Sequence, residues 1–519
     1  MPAIAKRLLW IGLAAGLAAA YWIAWRAPAV GTFHDDGIYV VTAKALAEGK
    51  GYRIVSLPSE IPQTKYPVLF PLALAGAWKL WPEFPDNVPL LKLIPLACAL
   101  LWLLIVYQLA REQSLSPHIA GAICLLTASA PWVIYLSTAL LSETLFAALL
   151  SASLLYLSRT DRPPTSTRDL LLSALFAALA FHTRSLGLAM VIAGPVFLLA
   201  RGRRREAVQF ACVAGLLCAP WILWTKAAAG VTALTDAYYS TENYQGWNIL
   251  FNFNLSQKLH IAAQNTIVLI LSPATMLGWP MYGLWILPAG ALGLWMLRGL
   301  VMQGLTPAAL LLTVYAALVV CWAWSPGRFV APVLPLLLIP AAIQLKRLRP
   351  SVQTTVVALV IGGMALSVLS ASRKTLRLGD AMPGLAETDS FHRLSAQLQW
   401  TRQNTPPDAV LAGNLDPLYY LYTGRKAIRG FRSEPYQLIY AQEGDPIGTG
   451  PQSLDNLCRA QASFWIESPN SGFLEGKHLS GIQSNLHQRS PRALPKLFDH
   501  HGTHRIYGVH CQETIGDLR

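Results

Sequence analysis

Charge is what this sequence has least of. Only 13% of its 519 residues are Asp, Glu, Lys or Arg. A water-soluble domain needs roughly a quarter of its residues charged to cover its surface, so a single soluble globule is excluded. Disorder is excluded as well, because it requires low hydrophobicity and 54% of this chain is hydrophobic. Acidic residues are the scarcer sign, 27 against 41 basic ones, for a net charge of +14. Cysteine is sparse too, and none of the seven falls at metal-ligand or redox spacing. Cys98, Cys124, Cys212, Cys218 and Cys321 lie in or near apolar segments, as small buried hydrophobes do. Cys458 and Cys511 lie in the polar C-terminal stretch, where a disulfide between them requires export. There is no internal repeat and no low-complexity tract, which excludes a solenoid or array.

What is present is apolar runs. With a mean hydropathy of +0.40, an integral membrane protein of several spans is the expectation. Runs of span length occupy 8–25, 88–110, 117–137, 140–158, 169–183, 186–200, 207–228, 279–298, 306–324, 328–345 and 351–372, about eleven spans. The first run follows Lys6 and Arg7 and resembles a signal peptide. Its length and its Tyr21, Trp22 and Trp25, which look like an interfacial belt, favour a retained helix. Residues 67–81 are apolar but short and interrupted by Pro71, as in a helix lying against the membrane.

Basic residues recur between alternate runs, at Lys6/Arg7, Arg111, Arg159/Arg162/Arg168, Arg201/Arg203/Arg204/Arg205, Arg298 and Lys346/Arg347/Arg349. All fall on one side if the N-terminus is cytoplasmic. An odd number of spans then places 26–87, 229–278 and 373–519 on the outer side. Residues 373–519 hold 16 basic and 14 acidic residues, leaving 25 and 13, a net of +12, in residues 1–372. The expected fold is therefore mostly α: a polytopic transmembrane domain over 1–372 and an extracytoplasmic α/β domain over 373–519. In the latter, 390–405 has helical apolar spacing, and 409–411 and 464–466 are strand candidates.

The residues that carry chemistry gather on the outer side. Thr32-Phe33-His34-Asp35-Asp36-Gly37 places two adjacent carboxylates at a membrane mouth. One reading is a solvated loop or an N-terminal helix cap, since Asp there favours the helix dipole and 38–48 looks helical. The other is a general base with a neighbour that orients the acceptor or a metal. Lys65 and Arg184 sit where the orientation rule disfavours cations, and Arg328 follows a Ser325-Pro326-Gly327 turn at a helix start, the wrong end of the dipole. Each is either a snorkelling side chain or part of a phosphate site. Three on one face favour the phosphate. Glu143, at the outer start of a span, is either a first-turn carboxylate or a functional acid facing an acceptor or metal. Carboxylates and cations at one bilayer surface suit transfer of a group from a lipid phosphate.

The order of Asp35-Asp36, Lys65-Tyr66-Pro67, Ser142-Glu143, Thr183-Arg184 and Gly327-Arg328-Phe329…Pro332…Pro335 resembles the C-type (GT-C) membrane glycosyltransferases. These include protein O-mannosyltransferases, the aminoarabinose transferase of lipid A and lipopolysaccharide core sugar transferases. Residues 400–410 and 419–425 are similar to the extracytoplasmic tail of bacterial members. The resemblance implies inverting transfer from a polyprenyl-phosphate sugar to a hydroxyl of an envelope glycan, glycolipid or protein, with no nucleic acid involved. It implies a multi-pass location in the inner membrane, with the N-terminus cytoplasmic. Asp35 matches the base and Asp36 the second acid. Lys65 and Arg328 match cations near the lipid phosphate, and Arg184 and Glu143 match recurring positions. No cofactor is demanded, and a divalent metal is compatible. Departures from the family pattern are Tyr66 in place of a second proline, Phe329 in place of a tyrosine, and fewer spans than some relatives.

A transporter or flippase of lipid-linked sugars would also gather cations near a phosphate. It would place its polar groups at mid-membrane and show paired repeats. A non-catalytic assembly protein would tolerate loss of Asp35 and Asp36.

Overall fold

The computed structural model describes residues 3–27, 30, 34–161, 166–228, 254–279, 283–322, 325–378, 391–429, 454, 457–468, 486–488 and 491–511. The chain forms two compact units. One comprises Met1–Arg26, Lys92–Trp224 and Trp247–Leu376; the other comprises Ala27–Leu91, Thr225–Gly246 and Arg377–Arg519. The first outer segment thus falls with the C-terminal residues, whereas the sequence suggested a boundary at 372.

The first unit is helical. Among the described residues, Val88–Glu112, Arg204–Ala227, Leu255–Met276, Gly283–Met302 and Gly327–Leu345 are long and apolar enough to cross a membrane. Pro117–Ser129 and Pro131–Thr138 make a further, broken candidate, bent by 67°. Its break falls at Ala130-Pro131, as the steric restriction of the residue before proline dictates. Helices at 143–160, 167–183 and 188–200 match other expected spans, but length and hydropathy together do not qualify them. The count of about eleven is therefore not carried by these criteria.

Leu255–Met276 corrects the sequence reading directly, because 229–278 was expected to be an outer loop. Residues 229–253 of that loop lie outside the described residues. The helix opens with a capping box, Asn254 and Gln257 each accepting the other's backbone N–H. Its first half carries Gln257, Lys258, His260, Gln264 and Asn265, which dilutes its hydropathy and hides it among loop residues.

Within this unit, Glu143–Thr160 packs closely on Thr167–Thr183. Ser153 and Ser173 clasp across the pair, each hydroxyl donating to the other's carbonyl at 2.7 and 2.8 Å. Small hydroxylated residues let helices approach and satisfy polar groups away from water.

The second unit joins two N-terminal helices, Asp35–Ala47 and Leu69–Leu80, to a mixed sheet built from the C-terminal residues. At about 1.5 Å per residue the 12-residue Leu69–Leu80 helix spans about 18 Å, too short to cross a bilayer core. The sheet consists of β1 (Leu411–Ala412), β2 (Ala427–Ile428), β3 (Phe464–Glu467), β4 (Lys496–His500) and β5 (His504–Gly508), in the order β2-β1-β3-β5-β4. β1 runs parallel to β2 and β3, whereas β5 runs antiparallel to β3 and β4. One core takes Ile38, Val41 and Ala45 from the first helix, Ile54, Val55 and Leu57 from the loop after it, and Trp465 and Tyr507 from the sheet. The loop adds backbone pairing: Ala427 N–H donates to Ser56 O at 2.8 Å. Cys458 and Cys511 form a disulfide beside this core.

Candidate active site

In the second unit the acidic pair forms the first turn of a helix whose N-cap residue is His34. Asp36 is buried, and its carboxylate accepts the N–H of Gly37 at 2.7 Å. Asp35 is half-buried and accepts a close hydrogen bond from the Tyr66 hydroxyl. The two acids therefore have different partners, as neighbours about 100° apart on a helix should.

Lys65 lies beside this contact, with its ammonium 5.2 Å from the centre of the Tyr66 ring. The turn that carries it is fixed from beneath. Gln63 is fully buried and its side-chain oxygen accepts the Lys65 N–H at 2.7 Å. Tyr52 donates to the Tyr66 carbonyl at 2.7 Å, and burial drives the Tyr52 hydroxyl pKa well above its ordinary value. Tyr39 meets Tyr66 edge-on at 5.0 Å and Phe70 at 5.1 Å. Tyr66 is thus a hub that sequence reasoning missed, noting it only as a departure from a proline.

The same unit holds a cluster with no local sequence signal. His34 and Asp416, 382 residues apart, are joined by a buried 2.8 Å hydrogen bond. Arg429 Nε stands 3.9 Å from the same Asp416 oxygen. Burial, then the Arg429 and Lys65 charges, holds the His34 pKa well below the ordinary histidine range, so the ring is neutral at physiological pH.

In the first unit the structure brings together Glu143, Arg184 and Arg328, three residues that the sequence flagged one at a time. Glu143 is 1% exposed. Arg184 Nη1 donates to Glu143 Oε1 at 2.7 Å and to Ser142 Oγ at 3.1 Å. Arg328 Nε lies 3.4 Å from the same Oε1. Both guanidinium groups sit over the Phe329 ring, at 5.3 and 5.6 Å.

Two tight turns aim these arginines. Arg184 ends the Thr167–Thr183 helix, and the turn behind it folds back so closely that a Cβ on Gly187 would lie 2.2 Å from Phe181 N. Arg328 is in a 3₁₀ turn, Gly327–Val333, tied down by Tyr315 donating to the Phe329 carbonyl at 2.7 Å. The sequence reasoned that a cation at this helix start needs an anion and suggested a phosphate. One anion it has is Glu143, which meets two guanidinium groups at once. Glu143 Oε2 makes no hydrogen bond. The group carries a net charge of +1 in a setting where charge is expensive.

Among the described residues, no group of three or more His, Cys, Asp or Glu side chains is placed to hold a metal ion. Asp35 and Asp36 belong to no such group.

Residues 67–224 match the family model described as dolichyl-phosphate-mannose-protein mannosyltransferase. A comparison with curated proteins finds no significant match. Solved structures match over nearly the whole chain. ArnT from Cupriavidus metallidurans in the apo state has a TM-score of 0.58 at 14% identity, covering 98% of this chain and 99% of that one. The same protein bound to undecaprenyl phosphate gives 0.59 at 13%, covering 97% and 98%. The archaeal oligosaccharyltransferase AglB from Archaeoglobus fulgidus, in complex with an inhibitory peptide and a dolichol phosphate, gives 0.55 at 11%, covering 96% and 74%. At these identities the structures establish a shared fold, and the family match adds a sequence link over residues 67–224. The chain has several helices long and apolar enough to cross a membrane, it shares the fold of ArnT and AglB, and its residues 67–224 match the mannosyltransferase family model.

Proposed function

We propose that this protein transfers a sugar from a polyprenyl-phosphate donor to a hydroxyl of a cell-envelope glycan, glycolipid or protein, with inversion. The observation that carries this reading is the Asp35–Tyr66–Lys65 cluster: a half-buried carboxylate and a cation on one aromatic side chain. That is the pair of groups that such a transfer requires, and it occurs in a chain whose fold matches a protein bound to undecaprenyl phosphate.

In this reading Asp35 accepts the proton of the acceptor hydroxyl. The freed oxygen attacks the anomeric carbon from the face opposite the phosphate. The bond from that carbon to the phosphate oxygen breaks, and its electron pair leaves with the lipid phosphate. A single displacement inverts the centre. Tyr66 orients the Asp35 carboxylate, and Asp36 fixes the helix start through Gly37. Lys65 supplies positive charge that stabilises the departing phosphate, and Arg184 and Arg328 are the other phosphate-binding candidates that the family resemblance implies. Glu143 holds the two arginines in position, a narrower role than binding an acceptor or a metal.

The disulfide supports an oxidising compartment for the second unit, with Asp35 in the same unit. The protein is accordingly read as residing in the inner membrane, with its N-terminus cytoplasmic and its C-terminal residues outside.

Mass spectrometry of envelope glycans and lipids, with and without the gene, tests the proposal. A product lighter by one sugar in the absence of the gene is expected, and its mass identifies the acceptor class. Identical envelopes reject the proposal.

A further inference from the structure

A helix start is its loosest part, because its first N–H groups lack partners within the helix. The Asp35–Ala47 helix carries its acidic pair there, and its N-cap residue, His34, makes no side-chain cap hydrogen bond. The His34 ring is engaged elsewhere, donating from Nε2 to Asp416 Oδ1 at 2.8 Å between two buried side chains. A carboxylate only accepts, so Nε2 carries the proton and the ring is held in one tautomer. His34 has φ 59°, in the left-handed region that side chains other than glycine seldom adopt. Such a conformation persists only where its surroundings impose it.

The next turn is held at the same place. A Cβ on Gly37 would lie 2.8 Å from Pro417 Cβ, so the helix start is pressed against the residue that follows Asp416. Asp416 is in turn fully buried and first in its own helix, Asp416–Thr423. Arg429 balances its charge.

We propose that Asp416, acting through His34, is a positioning residue for the Asp35–Asp36 pair, so that the C-terminal residues hold the acidic loop in its working geometry. The activity part of this inference rests on the transfer reading; the link itself does not.

The test has two arms, both on full-length protein. Hydrogen exchange in detergent reads the link. Asp416→Ala is expected to speed amide exchange at residues 34–40 by about tenfold or more, with the Phe391–Asn404 helix unchanged as a check on folding. Unchanged exchange at 34–40 overturns the proposal, as does an equal acceleration in both segments. Transfer is read in membranes of a strain lacking the gene, complemented at matched expression. His34→Gly relieves the backbone and removes the donor. His34→Gln keeps an amide nitrogen where Nε2 stood. The glycine variant should lose about tenfold to a hundredfold in product, and the glutamine variant should recover most of it. A glycine variant that transfers normally, or a glutamine variant that falls equally far, contradicts the role. If the wild type transfers nothing, the transfer reading fails while the exchange arm still decides the link.

Discussion

Asp35 and Glu143 occupy the same kind of place and do different things. Each is the first residue of a helix, where a carboxylate is favoured by the dipole. Asp35 is half-buried and meets a neutral hydroxyl; Glu143 is buried and meets two guanidinium groups. A half-buried carboxylate oriented by a hydroxyl keeps part of its surface exposed. One shared by two arginines has become part of their scaffold. Position on a helix therefore does not assign a role to an acid; its burial and surroundings do.

That contrast can be broken by mutation, and the largest effect belongs to Asp35. Asp35→Asn should lower transfer by about a thousandfold or more, since general-base catalysis contributes about 10²–10⁴, with little change in thermal stability. Glu143→Gln should do the reverse and act first on folding. Removing one member of a buried ionic group costs about 3–5 kcal/mol, which a thermal melt of the purified protein measures. A stable Glu143→Gln protein with lost transfer would move Glu143 to the catalytic side of the comparison.

Acid sharpens the comparison from another direction. Burial, with Arg393, His500 and His501 nearby, lowers the His504 pKa to about 4, and His34 is lowered as well. Unfolding lets both rings take protons that the folded state refuses, so stability is intact above about pH 6.5 and falls below it. For His504 the loss runs from about pH 6.5 to about 4 and amounts to about 3 kcal/mol at most. Melting temperature across that range checks it. His504→Gln should flatten the slope. Reducing the Cys458–Cys511 bridge should cost the second unit about 2–4 kcal/mol, visible as earlier proteolysis of the C-terminal residues. Tyr66→Phe is the mildest change. It removes one hydroxyl donor, worth about 1–3 kcal/mol when bonded to a charge, and should reduce transfer about tenfold while Lys65 keeps its place.

Much of this was legible locally. The Phe391–Asn404 helix follows apolar spacing and stops before Pro406, close to the expected 390–405. The strand candidates 409–411 and 464–466 correspond to β1 and β3 within a residue or two. Arg184, Arg328 and Glu143 were each conspicuous as charges beside apolar runs. What the sequence hid is pairing across distance. Nothing near His34 points to Asp416, and nothing near Glu143 says that it will meet both arginines. β4 and β5 escaped because each is only five residues long and mixes Lys, Asp, His and Arg with Leu, Phe, Ile and Tyr, with no clean alternation. Leu255–Met276 escaped because its polar first half resembles a loop until its cap is seen.

The most direct measurement is complementation of a strain lacking the gene with wild-type protein or with Asp35→Asn, at matched membrane levels, followed by mass spectrometry of the envelope product. Wild type should restore the sugar-sized mass and Asp35→Asn should not. Equal restoration by both would contradict the account at its centre, because the carboxylate held by Tyr66 would then not be the base.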